Sequence, residues 1–114
     1  MNDLIIIGAG GHGRTLYETA RLLGYENIVF LDDNESCLNT SEIHVIGKTS
    51  DLNLYADTAK HIAIGIGNNK LREVFHHQLQ NLSITPTTLV HPFAFVSPSA
   101  TLGSGSVVLA GAVI

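Results

Sequence analysis

A glycine-rich hexapeptide, residues 8–13 with the sequence GAGGHG, is the stretch whose composition points most directly to chemistry. It follows the apolar run Leu4–Ile7 and precedes a helical pattern. Gly8 permits a tight turn, Gly10 lets backbone N–H groups approach a phosphate, and Gly13 lets the helix lie close to the strand. The helix N-terminus adds unpaired N–H donors and a partial positive charge. This pattern predicts a site for an anionic, nucleotide-bearing ligand; a purely structural strand-to-helix turn is the alternative.

Polar or glycine residues also follow two other apolar runs. Asp32 and Asp33 come after one of them, and Gly67 and Asn68 come after the other. In an open parallel sheet the carboxyl ends of the strands face one crevice, where ligands bind, so we expect these residues to converge on the glycine turn. The two aspartates are predicted either to bind the ligand or to cap the turn through Asx-type hydrogen bonds, and both interpretations remain open.

His12 is the histidine best placed to act in such a site, because it lies inside the glycine turn. We expect it to orient the turn or to donate to a phosphate rather than to shuttle protons. His91 precedes Pro92 and is predicted to stabilise a junction between domains. The remaining histidines are predicted on strand edges or exposed helix faces: His44, His61, His76 and His77. No spacing typical of a metal site is present.

Composition restricts the class of protein. The chain has 114 residues, 45% of them hydrophobic and 14% charged, which favours a globular domain. A formal net charge of −4 argues against a nucleic-acid or anionic-membrane surface. Cys37 is the only cysteine and is expected to be a small, half-buried residue, so a reducing cytoplasm is the expected location. We see no signal peptide, and the apolar runs are too short to span a bilayer, so we expect a soluble protein.

The periodicity of the first 91 residues predicts a small doubly wound α/β domain with a parallel sheet. A first helix is expected from Gly11 to about Leu23, with Leu16, Ala20 and Leu23 on its buried face. A later helix, preceded by Asn68-Asn69 and reaching to about Leu79, is expected to bury four residues: Leu71, Val74, Phe75 and Leu79. The predicted strands are Leu4–Ile7, Asn27–Leu31, His61–Gly67 and Thr87–Val90, with an edge segment at Ile43–Ile46 and a short helix from Asp51 to about Tyr55.

After Pro92 the pattern changes to a period of six. One aliphatic series and one series of small residues run in phase: Val96, Leu102, Val108 and Ile114, and Ala94, Ala100, Ser106 and Ala112. A left-handed parallel β-helix has this period, with one inward aliphatic residue on each face of a triangular coil. An ordinary hairpin or linker rich in small residues is the alternative. Residues 92–114 provide little more than one coil of about 18 residues, so we expect a fragment of a longer protein.

These motifs, in this order, resemble the bacterial sugar O-/N-acyltransferases of the sialic acid O-acetyltransferase and bacillosamine or perosamine N-acetyltransferase group. The resemblance covers the whole chain and rests on the glycine turn, Phe30-Leu31-Asp32-Asp33, residues 64–69 with the sequence IGIGNN, His91-Pro92, and Ser97-Pro98-Ser99-Ala100 opening the repeats. It implies a Rossmann-like domain, residues 1–91, that holds a UDP-linked amino sugar, followed from residue 92 by a β-helix that forms a homotrimer and binds acetyl-CoA.

The resemblance also implies roles for individual residues. Gly10, Gly11 and His12 would lie against the phosphates, Asp32 and Asp33 would bind the base or ribose, and Gly67 with Asn68 would close the pocket floor. The catalytic histidine of the family would lie beyond Ile114, so no catalytic residue is assigned in this chain.

Two other classes of function fit part of the sequence. An NAD(P)-binding oxidoreductase domain also uses Gly8-x-Gly10-x-x-Gly13 with an acid after the second strand. The small α/β region and the six-residue period that follows it argue against this class. A non-catalytic nucleotide-sensing module is the second alternative.

Overall fold

The computed structural model describes residues 1–34, 40 and 42–114, so Cys37 lies outside the described residues. The strands are β1 (Asn2–Ile7), β2 (Ile28–Leu31), β3 (Val45–Gly47), β4 (Ala59–Ile64), β5 (Leu89–Val90) and β6 (Val107–Val108). The helices are α1 (Gly11–Leu22), α2 (Leu52–Tyr55) and α3 (Asn69–Asn81), and short 3-10 turns at Thr49–Asp51 and Ala56–Thr58 flank α2. In the described part of the chain, no helix has the length and apolar character needed to cross a membrane.

Four strands form a parallel sheet in the order β3-β2-β1-β4, which confirms the predicted α/β class. β1 is central, and its residues Leu4 to Ile7 are fully buried. Leu4 and Ile6 pack with residues of α1, whereas Ile5 and Ile7 pack with residues of α2 and α3. This alternation shows that helices cover both faces of the sheet, which is why the strand sequence is continuously aliphatic.

The helices begin close to where the sequence predicts, but their buried faces are narrower than predicted. Leu23 is the C-cap of α1 and is 42% exposed, and Leu71 and Val74 of α3 are 49% and 56% exposed. In α3 the buried stripe runs through Phe75 and Leu79. Val74 is turned about 100° from Phe75 around the helix axis, and Leu71 lies in the first turn, beyond that stripe. The prediction that Leu23, Leu71 and Val74 are buried was therefore wrong.

The strand predicted at Thr87–Val90 is not the last strand of this sheet. Leu89 and Val90 form β5, which pairs in parallel with β6 in a separate two-stranded sheet. A single backbone bond, from the N–H of Thr87 to the carbonyl of Ile62 at 2.8 Å, links this segment to β4. The side chain of Leu89 is nevertheless fully buried in the core beside α1, so an apolar pattern alone did not reveal which strand its backbone would meet.

The C-terminal residues make one complete parallel turn. Leu89 pairs with Val107 and Phe95 with Val113, so both pairings join residues 18 positions apart. In the aliphatic series, which was predicted to face inward, Val108 is buried, Val96 and Leu102 are half-buried, and Ile114 is exposed. The members of the small-residue series are all half-buried: Ala94, Ala100, Ser106 and Ala112. Residues between them, such as Phe93 and Val113, are 78% and 77% exposed, and Ile114 is 49% exposed. The six-residue period therefore marks the less exposed positions of this turn, apart from Ile114.

Candidate functional site

The glycine turn connects the carboxyl end of β1 to α1 and leaves the start of that helix open. Gly8 has φ +100°, a conformation that favours glycine, and its N–H donates to the carbonyl of Leu31 at 2.8 Å. Gly10 is the N-cap of α1, and no side chain caps the helix. A Cβ added at Gly10 or Gly11 would meet nothing within 4 Å. The first N–H groups of a helix have no intrahelical partner, so this surface presents donors to a ligand.

Two glycines allow the helix to approach the sheet at this point. A Cβ on Gly13 would lie 1.8 Å from the carbonyl oxygen of Gly8, which confirms that Gly13 permits close contact of helix and strand. A Cβ on Gly65 would lie 2.8 Å from the Cα of Gly13 and 2.7 Å from the Cγ2 of Ile6. The role of Gly65 was not predicted from the sequence; the signal that could have revealed it is a glycine within an apolar run. β4 ends at Ile64, before the predicted Gly67, and the chain continues from Gly65 toward α3.

Asp32 follows β2 and contacts the glycine turn. Its Oδ2 accepts a hydrogen bond from the N–H of Ala9 at 2.8 Å, and its Oδ1 accepts one from the N–H of Asn34 at 2.8 Å. The second bond is the Asx-type contact that was one of the two predicted roles for this residue. The half-buried carboxylate of Asp32 thus joins the end of β2 to the turn after β1.

Asp33 points to a different neighbour. Its Oδ1 accepts from both the N–H and the hydroxyl of Thr49, at 2.9 and 2.8 Å, which ties the end of β2 to the turn after β3. Within the described residues, no group donates to its Oδ2. Asp33 is exposed at the carboxyl edge of the sheet.

Gly67 and Asn68 lie at the start of α3, next to the carboxyl end of β4. Asn68 is the N-cap, and its Oδ1 accepts from the N–H groups of Lys70 and Leu71 at 3.0 and 3.1 Å, as the sequence predicts. Gly67 is exposed, and a Cβ there would meet nothing within 4 Å. All the predicted site residues therefore follow the carboxyl ends of β1, β2 and β4, which are adjacent in the sheet.

His12 is half-buried in the first turn of α1, and its Nε2 atom is buried without a hydrogen-bond partner among the described residues. A buried polar atom in this state costs free energy until a ligand or water pairs with it. The other histidines behave as predicted: His44, His61, His76 and His77 are exposed. His91 accepts a hydrogen bond at Nδ1 from the N–H of Phe93 at 3.0 Å, at the start of the C-terminal turn.

The described residues form no metal-binding group, and the best-defined cleft lies away from the glycine turn. Across residues 1–34, 40 and 42–114, no group of three or more His, Cys, Asp or Glu residues could hold a metal ion. A cleft of about 330 Å³, lined in part by Asn2, Tyr17, Arg21 and Asn27, lies at the amino ends of β1 and β2. Parallel sheets bind ligands at their carboxyl ends, so this cleft is separate from the glycine turn.

Comparison with known proteins identifies relatives of the whole chain. Residues 3–79 match the family described as the PglD N-terminal domain. A curated relative, the UDP-N-acetylbacillosamine N-acetyltransferase of Bacillus subtilis (strain 168), is 31% identical over 115 residues. The match covers 96% of this chain and 52% of that protein.

Solved structures share the fold over the same extent. The acetyltransferase domain of PglB from Neisseria gonorrhoeae FA1090, in complex with acetyl coenzyme A, is 43% identical with a TM-score of 0.88, and covers 99% of this chain and 56% of its own. PerB from Caulobacter crescentus, in complex with CoA and GDP-perosamine, is 28% identical with a TM-score of 0.87. The match covers 100% of this chain and 54% of the PerB chain. The chain therefore spans about half the length of the relatives it matches.

Proposed function

Because this chain belongs to the PglD N-terminal domain family, we propose that its glycine turn binds the diphosphate of a nucleotide sugar. The observation that carries the proposal is the open, uncapped N-terminus of α1 beside an unpartnered Nε2 atom of His12. Backbone N–H groups and the partial positive charge of a helix N-terminus attract phosphate oxygens. A phosphate at this point would also supply the partner that His12 lacks.

The other predicted site residues are assigned to the remainder of the ligand. Asp33 has an oxygen with no described partner, which suits a hydroxyl of the ribose or an N–H of the base. Gly67 is open, and Asn68 uses only its Oδ1 atom for capping, so its amide group is available as a donor at the floor of the site. Asp32 already accepts one backbone hydrogen bond at each carboxylate oxygen.

We assign the ligand to the UDP-linked amino sugars. The name of the curated relative from Bacillus subtilis contains a UDP-linked sugar, whereas the structure of PerB contains GDP-perosamine. A binding experiment must therefore decide whether the site prefers uracil or guanine as the base.

The longer protein is proposed to be an acetyl-CoA-dependent acetyltransferase that modifies an amino or hydroxyl group of the sugar during surface-glycan biosynthesis. In this proposal residues 1–91 bind the nucleotide sugar, and residues 92–114 begin a left-handed β-helix, with β5 just before the boundary. The parallel pairings 18 residues apart and the half-buried period-six series support this assignment. The enzyme would be a cytoplasmic homotrimer, and its general base would lie beyond Ile114.

Calorimetric titration of the chain with UDP-N-acetylglucosamine, GDP-mannose and NADH tests the binding proposal. We expect the UDP-sugar to bind most tightly, and His12→Ala to weaken it about 10-fold or more, because a hydrogen bond to a charged group is lost. His77→Ala is the matched control, since His77 lies on the exposed face of α3 and should leave affinity unchanged. Tighter binding of NADH would instead identify an oxidoreductase-type domain.

The assignment of catalysis to the longer protein is tested by acetyl-CoA turnover. We expect none from these 114 residues and measurable acetyl transfer to a UDP-linked amino sugar from the full-length parent. Turnover by the short chain alone would place the chemistry within it and contradict the proposal.

A further inference from the structure

Asp32 follows the end of β2, and the family resemblance predicts that it binds the base or ribose. We propose instead that Asp32 is a positioning residue: its carboxylate holds the glycine turn in the conformation that presents backbone N–H groups to the phosphates, without touching the ligand. This inference rests on the proposed function for its ligand, but its structural part can be tested without one.

Three hydrogen bonds fix the two residues at the base of the turn. The N–H of Gly8 donates to the carbonyl of Leu31 at 2.8 Å, and the N–H of Ala9 donates to Oδ2 of Asp32 at 2.8 Å. The carbonyl of Ala9 accepts from Nε of Arg14 at 3.3 Å. Both backbone polar groups of Ala9 are therefore held by side chains rather than by the neighbouring strands.

Ala9 is fully buried, so its N–H depends on Asp32 and not on bulk water for an acceptor. A buried N–H that loses its acceptor incurs the desolvation cost of that group, and a charged acceptor makes a stronger bond than a neutral one. The carboxylate of Asp32 is thus the group whose removal would release the turn at Ala9.

The second oxygen of Asp32 explains why the carboxylate keeps this orientation. Oδ1 accepts from the N–H of Asn34, two residues further along the chain, and this local contact fixes the side-chain torsions. One carboxylate oxygen is thus bonded to Asn34 and the other to Ala9. Asp33, the next residue, makes its hydrogen bonds to Thr49 and none to the turn among the described residues.

The negative charge of Asp32 and its hydrogen bond to the turn are expected to affect anion binding in opposite directions. A carboxylate bonded to the turn that binds phosphate repels an anionic ligand, so removal of the charge alone should tighten anion binding. Removal of the hydrogen bond should loosen the turn and weaken anion binding. If Asp32 bound the ribose instead, its removal would weaken only ligands that contain a ribose.

Amide hydrogen exchange in the ligand-free protein tests the structural part. In Asp32→Ala we expect the Ala9 amide to exchange about 10- to 100-fold faster relative to the Ile6 amide of the same sample, the range for a lost bond to a charged acceptor. Asp32→Asn, which keeps a neutral acceptor, should give a smaller change and guards against a misfolded alanine variant. Asp33→Ala is the matched control and should accelerate Thr49 but not Ala9. Unchanged Ala9 exchange in Asp32→Ala, or equal acceleration in Asp33→Ala, would overturn the inference.

Calorimetry with UDP and with inorganic pyrophosphate tests the functional part. We expect Asp32→Ala to weaken both ligands by a similar factor, about 10-fold, although it removes a repulsive charge. Loss of UDP affinity with unchanged or tighter pyrophosphate binding would make Asp32 a ligand of the base or ribose and contradict a positioning role. If the wild-type chain binds neither UDP nor pyrophosphate, the proposed function fails, and Ala9 exchange alone decides whether Asp32 holds the turn.

Discussion

At the scale of single residues, the glycines of the turn have different physical roles. Glycine is required at position 8 because φ is positive, and at position 13 because a Cβ would meet a carbonyl oxygen. Neither constraint applies to Gly10 or Gly11. At the last two an added Cβ would meet only open space. The same motif therefore contains residues that build the turn and residues that leave room for a ligand.

Gly13→Ala should destabilise the ligand-free protein by about 3 kcal/mol or more, because the added methyl group would lie 1.8 Å from a backbone oxygen that only a shift of helix or strand can relieve. Urea unfolding followed by circular dichroism measures this change.

Gly11→Ala is the matched control in the same unfolding experiment. Its methyl group would meet nothing within 4 Å, so we expect no loss of stability and a gain of up to about 1 kcal/mol from reduced freedom of the unfolded chain. Equal destabilisation by the two substitutions would show that the close contact at Gly13 is not the cause.

At the scale of elements, the start of α3 shows how one side chain can serve both the fold and the site. Asn68 caps the helix through two hydrogen bonds to its Oδ1 atom, so its predicted structural role is confirmed. Its role in ligand binding remains a prediction, and it concerns the amide nitrogen of the same side chain.

Asn68→Ala should lower the free energy of unfolding by about 1 kcal/mol, because two N–H groups at the start of α3 lose their acceptor. Asn69→Ala, one residue further, changes an exposed first-turn position that is not the cap and should have little effect. The pair is compared by urea titration without ligand, and a loss confined to Asn69→Ala would contradict the capping assignment.

At the scale of the whole molecule, the C-terminal turn and the α/β sheet share a core. Leu89 pairs through its backbone with Val107, yet its side chain packs among residues of β1 and α1, and half-buried Val107 packs against the same cluster. The two parts of the chain are therefore expected to unfold together.

Leu89→Ala should destabilise the protein by about 2–5 kcal/mol, the range for a fully buried leucine, and should do so in one cooperative transition. Phe95→Ala removes a larger apolar side chain from the same C-terminal turn, but Phe95 is 59% exposed and the loss should be small. Two separate transitions in thermal unfolding would show that the C-terminal turn and the sheet are independent.

The sequence by itself determined the local and periodic features. The continuous aliphatic run of β1, the glycine turn, the asparagine cap of α3 and the six-residue period each appear as a run or a spacing of residue types within a short segment. Such patterns can be read directly, whatever distant residues they meet, so the parallel α/β class and the edge of the sheet that carries the candidate site were predictable.

Only the tertiary structure decided which distant groups meet. The pairing of Leu89 with Val107, the contact of Gly65 with Gly13, and the hydrogen bond from Ala9 to Asp32 each join residues that no short-range pattern links. An aspartate after a strand occupies the same position in the sequence whether its carboxylate binds a ligand or accepts from a backbone N–H. The acceptor it offers is satisfied by whichever donor the packed chain brings within reach, and that depends on the position of every neighbouring element.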